Sequence, residues 1–394
     1  MITRDITEKL ARRETPFYYY DLEMLRETLA VASGEAANRG FHVHFAVKAN
    51  FNPVIMKIMA GYGFGADCVS GNEVVHAIAC GFEASETVFA GVGKSDREIE
   101  TALELGIKCF NAESAAELEV IDSIAGRMGR RASVALRINP NVEAHTIKNI
   151  TTGTDENKFG IRIVELEGVL NRLKELENID YRGIHFHIGS QITDLHVYRN
   201  LCTRINELWQ WLTDRGFEPS DINVGGGLGV SYEDPDRFPP FAEYFDVFRN
   251  HLDSRIRSTV SFELGRSLTA NCGSLIARVL YVKPGAAETF VILDAGMTEL
   301  MRPALYHAYH RIENLTSVGQ EKKYTVVGPI CETTDTFGKF IALPETRRGD
   351  LIAIRSAGAY GEVMASRYNM RSLPPAVFSD DFDRLGDNRQ QTSV

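Results

Sequence analysis

FHVHFAVKAN, from Phe41 to Asn50, is the stretch on which the fold turns. Phe41–Val47 is rich in apolar and aromatic side chains, as expected of a strand covered on both faces in a parallel sheet. Lys48 closes the run, and the amphipathic stretch PVIMKIMAGY follows within five residues. Strand, polar residue, helix: the same unit recurs along the next two hundred or so residues. Further strands are expected at Phe64–Val69, Thr87–Ala90, Lys108–Asn111, Ser133–Ile138, Tyr181–His187, Asp221–Val224 and Val260–Leu264. Between them lie helical patterns such as GNEVVHAIACG, SDREIETALELG and SAAELEVIDSIAG. Several open with Ser, Asp or Asn and close on Gly, the asymmetry of helix caps. Eight strands alternating with helices predict a closed parallel (β/α)₈ barrel. An open doubly wound sheet would place a glycine-rich phosphate turn directly after an early strand, and none stands there.

Beyond residue 265 the pattern changes. SLIARVLYVKP, TFVILDAG, KKYTVVGPI and DLIAIRS are β-rich, with turns between them and little helix, which predicts a second, mainly β domain. FYYYD at Phe17–Asp21 reads as a strand placed before the barrel, able to pair with that domain because chain ends often lie close together. The expected division is 1–22 for this strand segment, 23–265 for the barrel and 266–394 for the β-rich domain. A chain of 394 residues agrees with more than one domain.

The net charge of −10 argues against a nucleic-acid partner. No apolar run approaches the roughly 18–20 residues of a membrane span, and the charged start MITRDITEKLARRE lacks the core of a signal peptide. Cys68, Cys80, Cys109, Cys202, Cys272 and Cys331 form no CxxC pair, so neither a zinc site nor a disulfide framework is expected. Free thiols in a reducing cytoplasm are the expectation.

In such a barrel the C-terminal ends of the strands line the active site, and the unusual polar residues fall there. Lys48 ends the first strand, Asp67 the second and Arg137 the fifth. His185 and His187 end the sixth, GGGLG (225–229) follows the seventh, and Glu263 and Arg266 come at the eighth. Taken singly, Lys48 would read as a solvent-seeking loop lysine. At the end of an apolar run its amine is partly desolvated, which lowers an amine's pKa and makes it a better Schiff-base nucleophile. Glycine runs let backbone N–H groups approach an anion, although tight turns use glycine too.

At this point the residues amount to a resemblance. The segments FAVKAN (45–50), GADCVSGNE (65–73), ESAAELE (113–119), RINPNV (137–142), NKFGI (157–161), HFHIGSQ (185–191), GGGLG (225–229), ELGR (263–266), GPICETTD (328–335) and GAYG (358–361) occur in order. Together they resemble the fold type III pyridoxal-phosphate decarboxylases, in particular those that act on diaminopimelate. The resemblance implies the alanine racemase-like combination of a barrel and a β domain. It also implies pyridoxal 5′-phosphate as cofactor, covalently carried by Lys48.

By the same resemblance His187 stacks on the cofactor ring and Glu263 pairs with its pyridine nitrogen. Ser190, Gly226, Gly227, Gly265 and Arg266 hold the phosphate region, while Asp67 and Arg137 complete the cofactor contacts. Cys331 is the expected proton donor, and Tyr360 touches cofactor and substrate. Glu332, Arg302 and Tyr306 are expected on the substrate, with Arg266 beside them. A homodimer with shared active sites is implied, the Cys331 loop coming from the partner. Two departures stand out: Leu264 replaces the usual proline of ELGR, and Ser372-Leu373 stands where Arg-Pro is common. The expected reaction is decarboxylation of meso-2,6-diaminopimelate to L-lysine, because a distal carboxylate demands a cation such as Arg302 or Arg266. Another basic amino acid or carboxynorspermidine is the alternative substrate. A non-catalytic regulatory homologue is the alternative of another class.

Overall fold

A computed structural model describes residues 2–140, 158–256 and 258–382. Parts of two quoted motifs, Asn141, Val142 and Asn157, lie outside the described residues.

All eight expected barrel strands are present, their ends shifted by no more than two residues: His42–Ala46, Gly65–Cys68, Thr87–Phe89, Cys109–Ala112, Ala132–Asn139, Ile179–His185, Asp221–Gly226 and Thr259–Leu264. Each pairs in parallel with the next in sequence, and the eighth pairs with the first. The sheet is therefore closed, as a (β/α)₈ barrel requires. A two-residue strand, Ile161–Arg162, adds beside the fifth.

Local chemistry starts the outer helices where the sequence places Ser or Asn. Ser70 and Ser114 accept from the backbone N–H groups of Glu73 and Glu117, and Asn52 accepts from Val54, with Pro53 in the first turn. Ser95 and Glu98 form a capping box whose helix, Asp96–Leu105, ends on left-handed Gly106. Strands face the helices through buried apolar side chains. Phe262 on the eighth strand meets Phe245 and Phe248 edge-on at 4.9 Å each, locking helix Phe241–His251 to the sheet.

The chain divides into two compact units, Thr28–Gly229 with Pro239–Leu268, and Met1–Glu27 with Val230–Phe238 and Thr269–Val394. The first holds the barrel. In the second, Phe17–Tyr20 runs antiparallel to Gly273–Pro284, Phe17 opposite Ile276, and parallel to Ala376–Phe378. Gly273–Pro284 also pairs with Leu351–Ile354 and Thr289–Leu293. Glu321–Val327 and Thr336–Pro344 continue the eight-stranded sheet. FYYYD thus joins the β-rich part of the chain.

Candidate active site

Lys48 sits in a single 3₁₀ turn, Val47–Ala49, one step past the first barrel strand. Asn50 closes that turn by donating its N–H to Val47 O at 3.0 Å, and its side chain accepts from Asn52 N–H at 2.8 Å. The Lys48 side chain is 36% exposed and its Nζ lies 3.9 Å from Asp67 Oδ2, whereas Asp67 is sealed. Among the described residues neither Asp67 oxygen has a hydrogen-bond partner. Burial pushes the Asp67 carboxyl well above its ordinary range and the charge of Glu263 adds to this, with Lys48 opposing.

Glu263 has the opposite environment. It lies within the eighth strand. Its Oε1 accepts from Asn223 at 2.8 Å and Asn111 at 3.4 Å, and its Oε2 faces His185 Nε2 at 3.1 Å. Burial raises this carboxyl too, but His185, Lys48 and His187 outweigh it and hold Glu263 well below the usual carboxylate range. Two buried carboxyls on one barrel mouth are thereby driven apart, one toward the acid and one firmly ionised. An ionised Glu263 fixes the proton of that contact on His185 Nε2. His187 stands two residues past the sixth strand, with part of its surface open. Burial, then Lys48 and Arg137, lower it well below an ordinary histidine, so its ring is neutral.

Arg137 is buried inside the fifth strand, where it donates to Glu113 and lies over the Phe159 ring at 4.8 Å. Glu113 also accepts from the N–H groups of Gly91 at 3.2 Å and Gly160 at 2.7 Å, tying three loops of the rim to one carboxylate. A buried Lys94 braces it. Its Nζ reaches Glu117 at 2.6 Å, and Glu117 in turn accepts from Glu113 N–H at 2.7 Å.

Opposite these lie Ser190 and Arg266, with Arg266 Nη2 donating to Ser190 Oγ at 3.1 Å. The glycine run is bound to the Ser190 loop by Ile192 N–H to Gly227 O at 2.8 Å and Gly229 N–H to Ile192 O at 2.9 Å. Gly227 has φ +95° and room for nothing but hydrogen, since a Cβ there would meet Gly189 O at 2.5 Å. At Gly265 a Cβ would press on Ala49 and Ala46 at 2.9 and 3.1 Å. Leu264 is fully buried, pairs with Phe45 and closes the eighth strand, where the strand was expected to end. An amine, an ionised carboxylate, a neutral imidazole and a Ser–Arg pair beside close-approach glycines fit pyridoxal phosphate, and the carboxyl of Asp67, both of its oxygens unsatisfied, offers it further polar contacts.

The remaining expected residues belong to the β-rich unit. Cys331 is the one exposed thiol of the six cysteines, all free. Its loop is folded by Asp335, which accepts from Ile330 N–H at 2.7 Å and Met297 N–H at 2.6 Å. Asp335 is seated between Gly296 and Gly328, where any Cβ would collide with it. Glu332 accepts from Tyr368 OH at 2.7 Å. Tyr360, half-exposed, adopts φ +55°. Arg302 opens the short helix Arg302–Tyr306 and is buried, its guanidinium 5.6 Å from the Tyr232 ring and 5.9 Å from the Tyr306 ring.

Sequence reasoning missed Glu113, Lys94, Asn111, Asn223 and Asp335 as supports. Glu113 and Asp335 lie inside quoted motifs, so that signal was present. Among the described residues no helix is long and apolar enough to cross a membrane, and no group of three or more His, Cys, Asp or Glu is placed to hold a metal ion.

Residues 27–270 match the family described as "Pyridoxal-dependent decarboxylase, pyridoxal binding domain". A diaminopimelate decarboxylase of Bacteroides thetaiotaomicron is 52% identical over 377 residues, 95% of this chain and 98% of the relative. One from Aquifex aeolicus is 39% identical, covering 93% of this chain and 87% of the relative. Among solved structures, the Helicobacter pylori diaminopimelate decarboxylase complexed with L-lysine has a TM-score of 0.90 at 39% identity, covering 95% of this chain and 94% of that one.

Proposed function

The chain belongs to the pyridoxal-dependent decarboxylases, and within them to the diaminopimelate decarboxylases, and from that premise we propose how its residues convert meso-2,6-diaminopimelate to L-lysine and CO₂. The observation that carries the reading is the buried, ionised Glu263 on the same barrel mouth as the amine of Lys48. Pyridoxal 5′-phosphate, when bound, supplies the electron sink for the pair left by the departing CO₂. Lys48 would hold the cofactor covalently through its Nζ amine. Glu263 keeps a proton on the pyridine nitrogen, and its own partners hold it charged. His187, being neutral, covers the ring without competing for that charge. Ser190, Gly226, Gly227, Gly265 and Arg266 take the phosphate, and Asp67 and Arg137 orient the rest.

Substrate recognition is assigned to residues of the other unit, with Arg266 from the barrel unit. Arg302 pairs with the distal carboxylate, Glu332 takes the distal ammonium, and Tyr306, Tyr360 and Arg266 complete the pocket. Cys331 returns a proton to the carbon that lost CO₂, a role its exposed thiol supports. The enzyme acts as a homodimer in which each active site uses the Cys331 loop of the partner. Six free thiols accord with a cytoplasmic location.

The test is CO₂ release compared across meso-diaminopimelate, L-lysine, L-ornithine and carboxynorspermidine. Diaminopimelate should be strongly preferred, and a preference for any of the others would overturn the substrate assignment. Lys48→Ala protein should stay folded yet no longer be fixed to the cofactor by borohydride. Persisting fixation would remove Lys48 from its role.

A further inference from the structure

Arg302 has a histidine beside its guanidinium. Its Nε lies 3.3 Å from Nε2 of His310, and both residues are buried. A guanidinium nitrogen only donates and does not lose its proton in a protein, so His310 Nε2 must offer its lone pair. The other ring nitrogen settles the matter. His310 Nδ1 lies 2.9 Å from the carbonyl oxygen of Arg355, which only accepts. His310 is therefore neutral with its proton on Nδ1.

That carbonyl is itself well anchored. Arg355 is buried, donating from Nη1 to Glu313 at 2.9 Å and from Nη2 to Asp236 at 2.8 Å, while its N–H reaches Arg311 O at 2.8 Å. Tyr232 packs edge-on against the His310 ring at 4.8 Å and also borders the Arg302 guanidinium. The chain Glu313/Asp236–Arg355–His310–Arg302 ends on one edge of the guanidinium, the Nε side. The Nη1/Nη2 edge is then the fork aligned for bidentate pairing with a carboxylate.

We propose that His310 is a positioning residue for substrate discrimination: as the Nδ1–H tautomer it accepts from Arg302 Nε and sets the Nη1/Nη2 edge on the carboxylate distal to the reacting carbon. The proposal rests on the assignment of Arg302 as reader of that carboxylate. The product offers a clean probe, because L-lysine retains the distal carboxylate whereas cadaverine, 1,5-diaminopentane, lacks it.

The experiment measures inhibition constants of L-lysine and cadaverine, with KM and kcat for meso-diaminopimelate, on cofactor-loaded parent, H310F, H310Q, R302A and the R302A/H310F double variant. In H310F the KM for diaminopimelate and the inhibition constant for L-lysine should rise at least about tenfold. Cadaverine should bind as in the parent, and kcat should change less than about threefold. H310Q, whose amide oxygen also accepts from Nε, should recover most of the loss. In the R302A background H310F should add nothing, since the effect runs through Arg302. If R302A leaves the lysine-to-cadaverine ratio unchanged, the Arg302 assignment fails. If R302A moves that ratio and H310F does not, the His310 proposal alone is overturned. Equal weakening of both ligands, or no rescue by H310Q, makes His310 a structural residue and also overturns it. Should H310F fail to fold, ¹⁵N–¹H correlation of the His310 ring in the parent decides instead, because a proton on Nε2 is incompatible with the proposal.

Discussion

Single residues at the barrel mouth are controlled by how burial and charge divide between them. Asp67 and Glu263 have the same functional group, and their neighbours send them in opposite directions. His44, on the first strand, shows what such burial costs. Among the described residues neither of its ring nitrogens has a hydrogen-bond partner, and burial, with Lys108 adding, lowers its pKa to about 4. The unfolded chain, with an ordinary histidine near 6.5, therefore takes up this proton first as the pH falls. Stability should drain away between about pH 6.5 and 4 by up to roughly 3 kcal/mol from this group. His44→Leu should flatten that part of the curve, and chemical denaturation of parent and variant at pH 7.5, 5.5 and 4.5 measures it. A gap between the two proteins that does not change across the window would show that His44 is not the group titrating. Little in the residue pattern marks His44. HVHFA reads as a strand with His42 and His44 on one face, but the burial of His44 depends on the facing residue, Gly65, twenty-one positions away. Lys48, Glu263 and Cys331 stood out as candidates because short motifs surround them. The Asn111 and Asn223 supports of Glu263 were not, because each comes from a different strand.

Among the elements, the seventh strand and its glycines are the most demanding. A run of three glycines reads naturally as an anion cradle, and the structure adds a second requirement. A Cβ at Gly226 would strike the carbonyl of Glu263 on the neighbouring eighth strand, and one at Gly225, with φ +73°, would strike that of Phe186. The close approach lets the seventh and eighth strands change register beside Glu263. Gly226→Ala should thus destabilise the protein by about 3 kcal/mol or more, because the obstruction is backbone and cannot rotate away. Gly93, on the same rim, has no neighbour within 4 Å of its Cβ position and an ordinary φ, so Gly93→Ala should be neutral or slightly stabilising. Thermal melts of the two variants with cofactor removed separate packing from phosphate binding. A Gly226→Ala protein as stable as the parent would leave the phosphate as that glycine's whole purpose. Strand positions were readable from the run of apolar residues, to within two residues at each end. The register of neighbouring strands was not, since it depends on contacts between residues far apart in sequence.

For the molecule as a whole, the residues proposed for catalysis are drawn partly from the barrel and partly from the β-rich unit, and the proposed dimer makes that division testable. Lys48→Ala and Cys331→Ala proteins should each be inactive. Mixed under conditions that exchange subunits, they should regain activity, because one site of each hybrid contains both an intact lysine and an intact cysteine. With random exchange, recovery approaches about a quarter of parental activity per site. No recovery after subunit exchange has been demonstrated by mass would mean each chain completes its own site. The fold class and the two-part organisation were readable from a change in periodicity near residue 265. Val230–Phe238 joining the β-rich unit was not, since nothing in that segment's composition sets it apart.

The pairing of Phe17–Tyr20 with Gly273–Pro284 also sets a timetable for synthesis. Tyr20 lies opposite Gly273, so during translation this strand waits for a partner roughly 250 residues further along. At about 5–20 residues per second the wait is on the order of 10–50 s. Its second neighbour, Ala376–Phe378, emerges later still. Four consecutive aromatic side chains, all buried in the finished protein, are uncovered for that whole interval. A ribosome that stalls anywhere within the barrel therefore releases a nascent chain with an unpaired, sticky leading strand, the form that cellular quality control must hold or destroy.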